Sequence, residues 1–336
     1  MGCPLPILFW GAFYAPYHAD IGLRLHWPFM PPRIGIHLST SGGVFRAAER
    51  AHELGANTFQ IFSSSPRMWR AAQLEPSHCE QMRRLRQEYD CFPLVIHTSY
   101  LVNLCSQSSV VREKSIHAFG LEIERALALG AEYLVLHPGS WRGLTRAEGL
   151  TLAVDAIAQS VERVRHPREA KRRGLQVFDD CDFRILIENT AGAEFSLGGS
   201  FEQVAELIDR LKPVAPVGAC LDTCHCHVAG YDLVSAAGYE GTVELIGKTI
   251  GLETVRVWHM NDARAARGSR LDRHQHIGQG TMGLPAFRRL LNDPRFSHCA
   301  FIAETPVDAP EDDRRNVETM LRLAQAGRRT AGQRKT

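Results

Sequence analysis

Cys220–Val228, CLDTCHCHV, crowds an aspartate, two histidines and three cysteines into nine residues. Imidazoles, thiolates and carboxylates are ligands for transition-metal ions. The run therefore reads as a zinc knuckle, a redox site or one edge of a larger centre. A knuckle needs four ligands around one ion, but no C-x-x-C pair occurs and no second cysteine pair follows CHC at 224–226. The larger centre is favoured because similar groups recur along the chain. They are His97 in LVIHTS, His137 in YLVLHPGS, Glu188 in ILIENTAG, His259 in VRVWHMND, Asp272 and His274 in LDRHQH, and Glu304 in FIAETP.

Positioning such groups falls to a repeating unit. From Arg33 onward, short apolar runs end in polar residues and are followed by amphipathic helical stretches. The runs are RIGIHLS (33–39), TFQIF (58–62), LVIHTS (94–99), YLVLHPGS (133–140), ILIENTAG (185–192), GACLDTCH (218–225), VRVWHMND (255–262) and FIAETP (301–306). Near-continuous apolar character marks strands buried on both faces of a parallel sheet. VFRAAERAHELG and SIHAFGLEIERALALG read as intervening helices, stopped by Gly55 and Gly130. Eight units predict an α/β chain folded as one (β/α)8 TIM barrel over 33–326. An open doubly wound sheet would want a glycine-rich phosphate loop after its first strand, and HLSTSGG is not G-x-G-x-x-G.

Barrels of this kind build their sites at the C-terminal ends of the strands. One histidine at a strand end is usually a hydrogen-bonded structural group. Here the third to the eighth strand ends all supply a histidine, aspartate or glutamate to one rim. His97, His137, His225, His259 and His274 are neutral donors; Glu188, Asp222, Asp272 and Glu304 are anionic. Nine ligands exceed one tetrahedral zinc and suit about three, if one carboxylate bridges two ions and a position stays open for water. Three Zn²⁺ against four carboxylates and one hydroxide leave the cluster near +1, which invites an anion such as a phosphodiester. Manganese or iron would suit these donors better than magnesium or calcium. Cys220, Cys224 and Cys226 are expected to pack as small buried hydrophobes.

Composition narrows the setting. The 336 residues are 44% hydrophobic and 23% charged with a formal net charge of +2, so charge alone names no nucleic-acid partner. Nine cysteines, an odd number without framework spacing, predict reduced thiols in a cytoplasmic protein. No stretch is long and apolar enough for a membrane span. Residues 1–32 lack a positive n-region, are broken by Pro4, Pro6 and Pro16, and carry Pro6 where a myristoylation motif wants Ser or Thr. They read as a disordered extension or a mis-assigned start, with Met30 a natural beginning. The basic piece HPREAKRRGLQ (166–176) reads as a loop, and 327–336 as a disordered basic tail.

Seven motifs in order, HTSYLVNL, LHPGS, IENTAG, CLDTCH, WHMNDA, GSRLDRHQHIGQG and AETP, resemble those of the endonuclease IV family from about Arg33 to Ala324. The resemblance implies a zinc-dependent apurinic/apyrimidinic endonuclease with a trinuclear cluster, acting on damaged double-stranded DNA as a monomer, nucleoid-associated if bacterial. By motif position, His97, His137 and Glu188 would bind the first ion. Glu188 would bridge to a second, completed by Asp222, His259 and Glu304. His225, Asp272 and His274 would hold the third. The implied reaction hydrolyses the phosphodiester 5′ to an abasic site, with Glu188 steering or deprotonating the nucleophile, and blocked 3′ ends are also trimmed. Arg67 in SSSPRMW and Tyr100 in SYLVNL match the family's DNA wedges. Ser65, Pro66 and Met68 stand where some relatives carry amide side chains, and Thr98 where some carry aspartate. His37 and His276 are expected to support ligands through hydrogen bonds rather than bind metal.

Three rivals differ in observable ways. A sugar isomerase or epimerase on the same barrel needs one or two metals and has no use for His225 with Asp272 and His274. A trinuclear phosphoesterase of the polymerase-and-histidinol-phosphatase type begins with H-x-H, whereas the first strand here offers His37 alone. A non-catalytic lesion-binding module would tolerate decay of the site, yet all nine positions are filled.

Overall fold

Eight parallel strands close on themselves in this computed structural model, which describes residues 31–165, 178 and 181–333. They are β1 (Arg33–Leu38), β2 (Thr58–Phe62), β3 (Leu94–His97), β4 (Tyr133–Leu136), β5 (Arg184–Glu188), β6 (Val217–Asp222), β7 (Val255–His259) and β10 (Ala300–Ala303). Around the ring the order is β1-β10-β7-β6-β5-β4-β3-β2. A short antiparallel pair, β8 (Asp262–Ala263) with β9 (His274–Gln275), stands above it. Every residue of β3 and β6 is buried, which is why these strands read as apolar runs without alternation. The eight-stranded parallel barrel expected from the repeats is present.

Helices pack outside the ring: α1 (Arg46–Glu53), α2 (Pro76–Glu88), α3 (Ser109–Leu129), α4 (Arg146–Val164), α5 (Phe201–Leu211), α6 (Thr223–Ala229), α7 (Ala236–Thr249), α8 (Leu284–Leu291) and α9 (Asp312–Gln333). α3 begins six residues before the stretch read from the sequence, because Ser108 Oγ accepts from Val111 N and caps it there. Gly130 closes it at φ 68°, a left-handed position that suits glycine. α4 opens on a capping box between Thr145 and Glu148. The basic tail differs from expectation, since the backbone of 327–333 continues α9. Alanine, arginine and glutamine are strong helix formers and carry it across Gly327 and Gly332. The extension before Pro31 and the loop 166–176 lie outside the described residues.

At the N-terminal mouth of the barrel, buried Arg86 from α2 is fully engaged. It donates to the carbonyls of Cys91 (3.3 Å) and Gly130 (2.6 Å) and to both oxygens of Glu132 (2.7 and 2.5 Å). Glu132 also accepts from Leu94 N at 2.7 Å. No helix among the described residues is long and apolar enough to cross a membrane.

Candidate metal centre

The barrel's inside is filled by Val95, Val135, Leu186, Cys220, Val257, Ala300 and Ile302. Side chains on a strand return to the same face every two residues. Two residues beyond six of these stand His97, His137, Glu188, Asp222, His259 and Glu304. Strand parity therefore aims all six inward, one layer above the apolar plug. In the β6–β7 register Asp222 faces His259 directly. His225 reaches the same layer from the first turn of α6, whose start is fixed by Asp222 Oδ1 accepting from His225 N at 2.9 Å. Asp272 and His274 come over the top on the loop after β7. Asp262 fastens that loop, its carboxylate accepting from the backbone N–H of Ala263, Gly278, Met282 and Gly283 at 2.8–3.2 Å.

All nine expected side chains meet at this mouth, where their donor atoms fall into three groups. His97, His137 and Glu188 form one; Glu188, Asp222, His259 and Glu304 a second; Asp222, His225 and His274 a third; within each, the potential ligand atoms lie within 4.8 Å of one another. Asp272 joins the third group at 3.2 Å from both His225 Nε2 and His274 Nε2. The fully buried Glu188 divides its two oxygens. Oε2 faces His97 Nε2 (3.0 Å) and His137 Nε2 (3.4 Å), while Oε1 faces His259 Nδ1 (3.0 Å). That is the disposition a bridging carboxylate requires.

Four of the imidazoles share one arrangement. A carbonyl oxygen can only accept, so a ring nitrogen facing it carries hydrogen. His97 Nδ1 faces Thr98 O (2.8 Å), His225 Nδ1 faces Asn189 O (2.9 Å), His274 Nδ1 faces Glu304 O (3.1 Å) and His259 Nε2 faces the Gln60 side-chain oxygen (2.9 Å). The opposite nitrogen of each ring points at a carboxylate, at 3.0 Å (His97, His259) or 3.2 Å (His225, His274). Lone pair against anion is repulsive unless a second proton or a cation lies between them. Hydrogen-bonding one imidazole nitrogen to orient the other is how proteins present histidine to metal ions. His274 Nε2 is also buried without a hydrogen-bond partner. The residues present thus fit a cluster of cations.

The electrostatics agree. Burial disfavours charged imidazole, yet facing carboxylates outweigh it: Glu304 and Glu188 push His259 up to about 9, and Asp222 and Asp272 push His274 up to about 9. Burial likewise opposes ionisation of Glu188, but the charges of His137 and His259 hold its carboxyl well below the usual range. Burial raises the Cys224 thiol to about 12 and pushes Cys220 and Cys226 well up. Such thiols pack as small buried hydrophobes, as the sequence reading expected.

The rim residues frame a cleft of about 370 Å³ lined by His37, Phe62, Tyr100, Val307 and six of the nine side chains, all but the buried Glu188, Asp222 and His259. A second cleft of about 390 Å³ adjoins it, lined in part by Ser99, Asn103, Ser140 and Thr190. Tyr100 is 69% exposed at the mouth. Arg67, also exposed, lies near enough for its charge to act on the Tyr100 hydroxyl. His37 lines the cleft 3.6 Å from Glu304 Oε1 and accepts at Nδ1 from the Gln60 amide. His276 does not: it turns to Asn316 (3.1 Å) and Asp312 (3.8 Å).

Sequence reasoning missed Gln60 and Asn261. Gln60 donates to Glu304 Oε1 and to His37 Nδ1 while accepting from His259, so one buried amide orients two proposed ligands. Asn261 donates to Asp222 Oδ2 at 2.6 Å and accepts from Glu304 N at 2.8 Å. A polar residue inside the otherwise apolar TFQIF was the available clue, since a buried amide needs partners.

Comparison with known proteins places this geometry. Residues 48–325 match the family model described as xylose isomerase-like TIM barrel. A protein named probable endonuclease 4 from Solibacter usitatus is 48% identical over 294 residues, 87% of this chain and 97% of its own. The crystal structure of endonuclease IV from Thermus thermophilus superposes with a TM-score of 0.74 at 36% identity, covering 88% of this chain and all of that one. A D-tagatose 3-epimerase-like protein superposes at 0.64 with 19% identity, a likeness of fold alone.

Proposed function

The chain belongs to the endonuclease IV family of metal-dependent deoxyribonucleases, and from that premise we propose that it hydrolyses the phosphodiester 5′ to abasic sites in duplex DNA with three zinc ions. His97, His137 and Glu188 would hold the first ion; Glu188, Asp222, His259 and Glu304 the second; His225, Asp272 and His274 the third. The observation carrying this reading is the set of four imidazoles that each turn a nitrogen toward a carboxylate. When bound, the ions would neutralise the phosphate, favour ionised water and stabilise the departing 3′ oxygen.

The chain's own groups do the rest. Glu188, kept ionised by its imidazole neighbours, steers the attacking water. Phe62, Tyr100 and Val307 wall the cleft with apolar surface beside its charged floor. An extruded sugar without a base enters at lower cost than a normal nucleotide, because no base pair is broken. Arg67 and Tyr100 fill the vacated stack. The products are a 3′-hydroxyl and a 5′ deoxyribose phosphate, and the same centre trims blocked 3′ ends. One protomer contains the whole site, in keeping with a monomer.

The test is a nicking assay of the zinc-loaded protein on a duplex with one abasic site beside an undamaged control. Scission 5′ to the lesion, leaving an end a polymerase extends, is expected. Tight binding with the strand left intact would support a lesion-binding module. One or two tightly held metals with sugar turnover would support the isomerase.

A further inference from the structure

The segment 63–72, between β2 and α2, carries Arg67 and contains no helix or strand. One side chain on α3 holds both of its ends. Arg125 Nη1 donates to Ala72 O at 2.7 Å, Nε donates to Ser63 Oγ at 2.8 Å, and Nη2 donates to Ser63 O. Glu122, one turn earlier on α3 and buried, accepts from Ser63 Oγ and from Ser64 Oγ (3.3 Å). Nearer the tip, Ser99 Oγ donates to Pro66 O at 2.8 Å and ties the segment to the loop that bears Tyr100.

A planar guanidinium binding two carbonyls and a hydroxyl fixes direction as well as distance, which a flexible ammonium cannot. Ordering a loop before binding removes part of the entropy cost of association. Neither Arg125 nor Glu122 lines the cleft, and the Arg125 nitrogens are spent on protein oxygens. We propose that Glu122 and Arg125 are positioning residues for DNA recognition: they set where Arg67 stands beside the cleft. This rests on the reading of Arg67 as a DNA wedge given above.

The experiment is a double-mutant cycle on the zinc-loaded protein. It measures affinity for an abasic duplex, turnover at saturating duplex, zinc content and thermal unfolding for Arg67→Ala, Arg125→Met and the pair. Arg125→Met is expected to weaken binding about tenfold with zinc content unchanged. In the Arg67→Ala background it is expected to add less than about twofold, since the residue it positions is gone. Arg125→Lys is expected to recover part of the loss. Should Arg125→Met fail to fold, Glu122→Gln keeps an acceptor for Ser63 while removing the buried charge, and is expected to weaken binding about threefold with the same dependence on Arg67. Unchanged affinity in Arg125→Met, or the full loss repeated in the Arg67→Ala background, overturns the proposal. Wild-type affinity in Arg67→Ala would instead remove the wedge reading on which it stands.

Discussion

The two mouths of the barrel both bury charge, and they treat it in opposite ways. At the N-terminal mouth, Arg86 and Glu132 satisfy each other and the surrounding backbone. At the C-terminal mouth, four carboxylates crowd together and face imidazole nitrogens that can meet them only by taking a second proton or a cation. The first arrangement holds the fold together. The second sets ring nitrogens against anions in a buried site, and local rules broken in a buried site mark function.

Substitutions should separate the mouths, and the largest effect is expected at Glu188. Glu188→Gln keeps shape but removes the shared charge, so turnover on abasic duplex should fall at least about 10³-fold, roughly 4 kcal/mol of barrier, with the fold retained by circular dichroism. Arg86→Ala should do the reverse. Denaturant unfolding should show a loss of about 2–3 kcal/mol as half-buried Glu132 and the carbonyls of Cys91 and Gly130 lose their donor, while turnover per folded molecule stays put. Gln60→Leu should come next, lowering zinc affinity about 10–100-fold in competition with a chelator because His259 and Glu304 lose their orientation.

The smallest effect concerns pH. With His259 and His274 raised to about 9 in the metal-free protein, their contribution to stability is fully present below about 6.5 and lost as pH rises through about 9. The depressed acids Glu188, Glu304 and Asp272 contribute above the ordinary carboxylate range and lose that contribution as pH falls through their folded values. Zinc must displace the imidazole protons. Calorimetry in buffers of different ionisation heat should therefore show proton release at pH 7 and an apparent affinity that rises from pH 6 to 8. Uptake without proton release would mean the facing nitrogens are not the ligating ones.

Much of this contrast was legible in the sequence. Ligands at the ends of apolar runs could be read because strand parity links each to a core residue two positions earlier, as Leu186 is linked to Glu188. What stayed hidden depends on contacts that chain position does not encode. Gln60 meets His259 across 199 positions, and nothing in TFQIF names that partner. His276 shares a loop with His274 but turns the other way, because the loop's path is set by Asp262 binding backbone rather than by alternation. Arg86 is one arginine among several on α2, and only its burial beside Glu132 distinguishes it.

The claim at the centre is that Glu188 joins two of three cations held by nine side chains. Anomalous diffraction at the zinc edge from crystals of the purified protein tests it most directly. Three peaks are predicted at this mouth, two of them on opposite oxygens of Glu188. One or two peaks, or three with Glu188 bound to none, would contradict it.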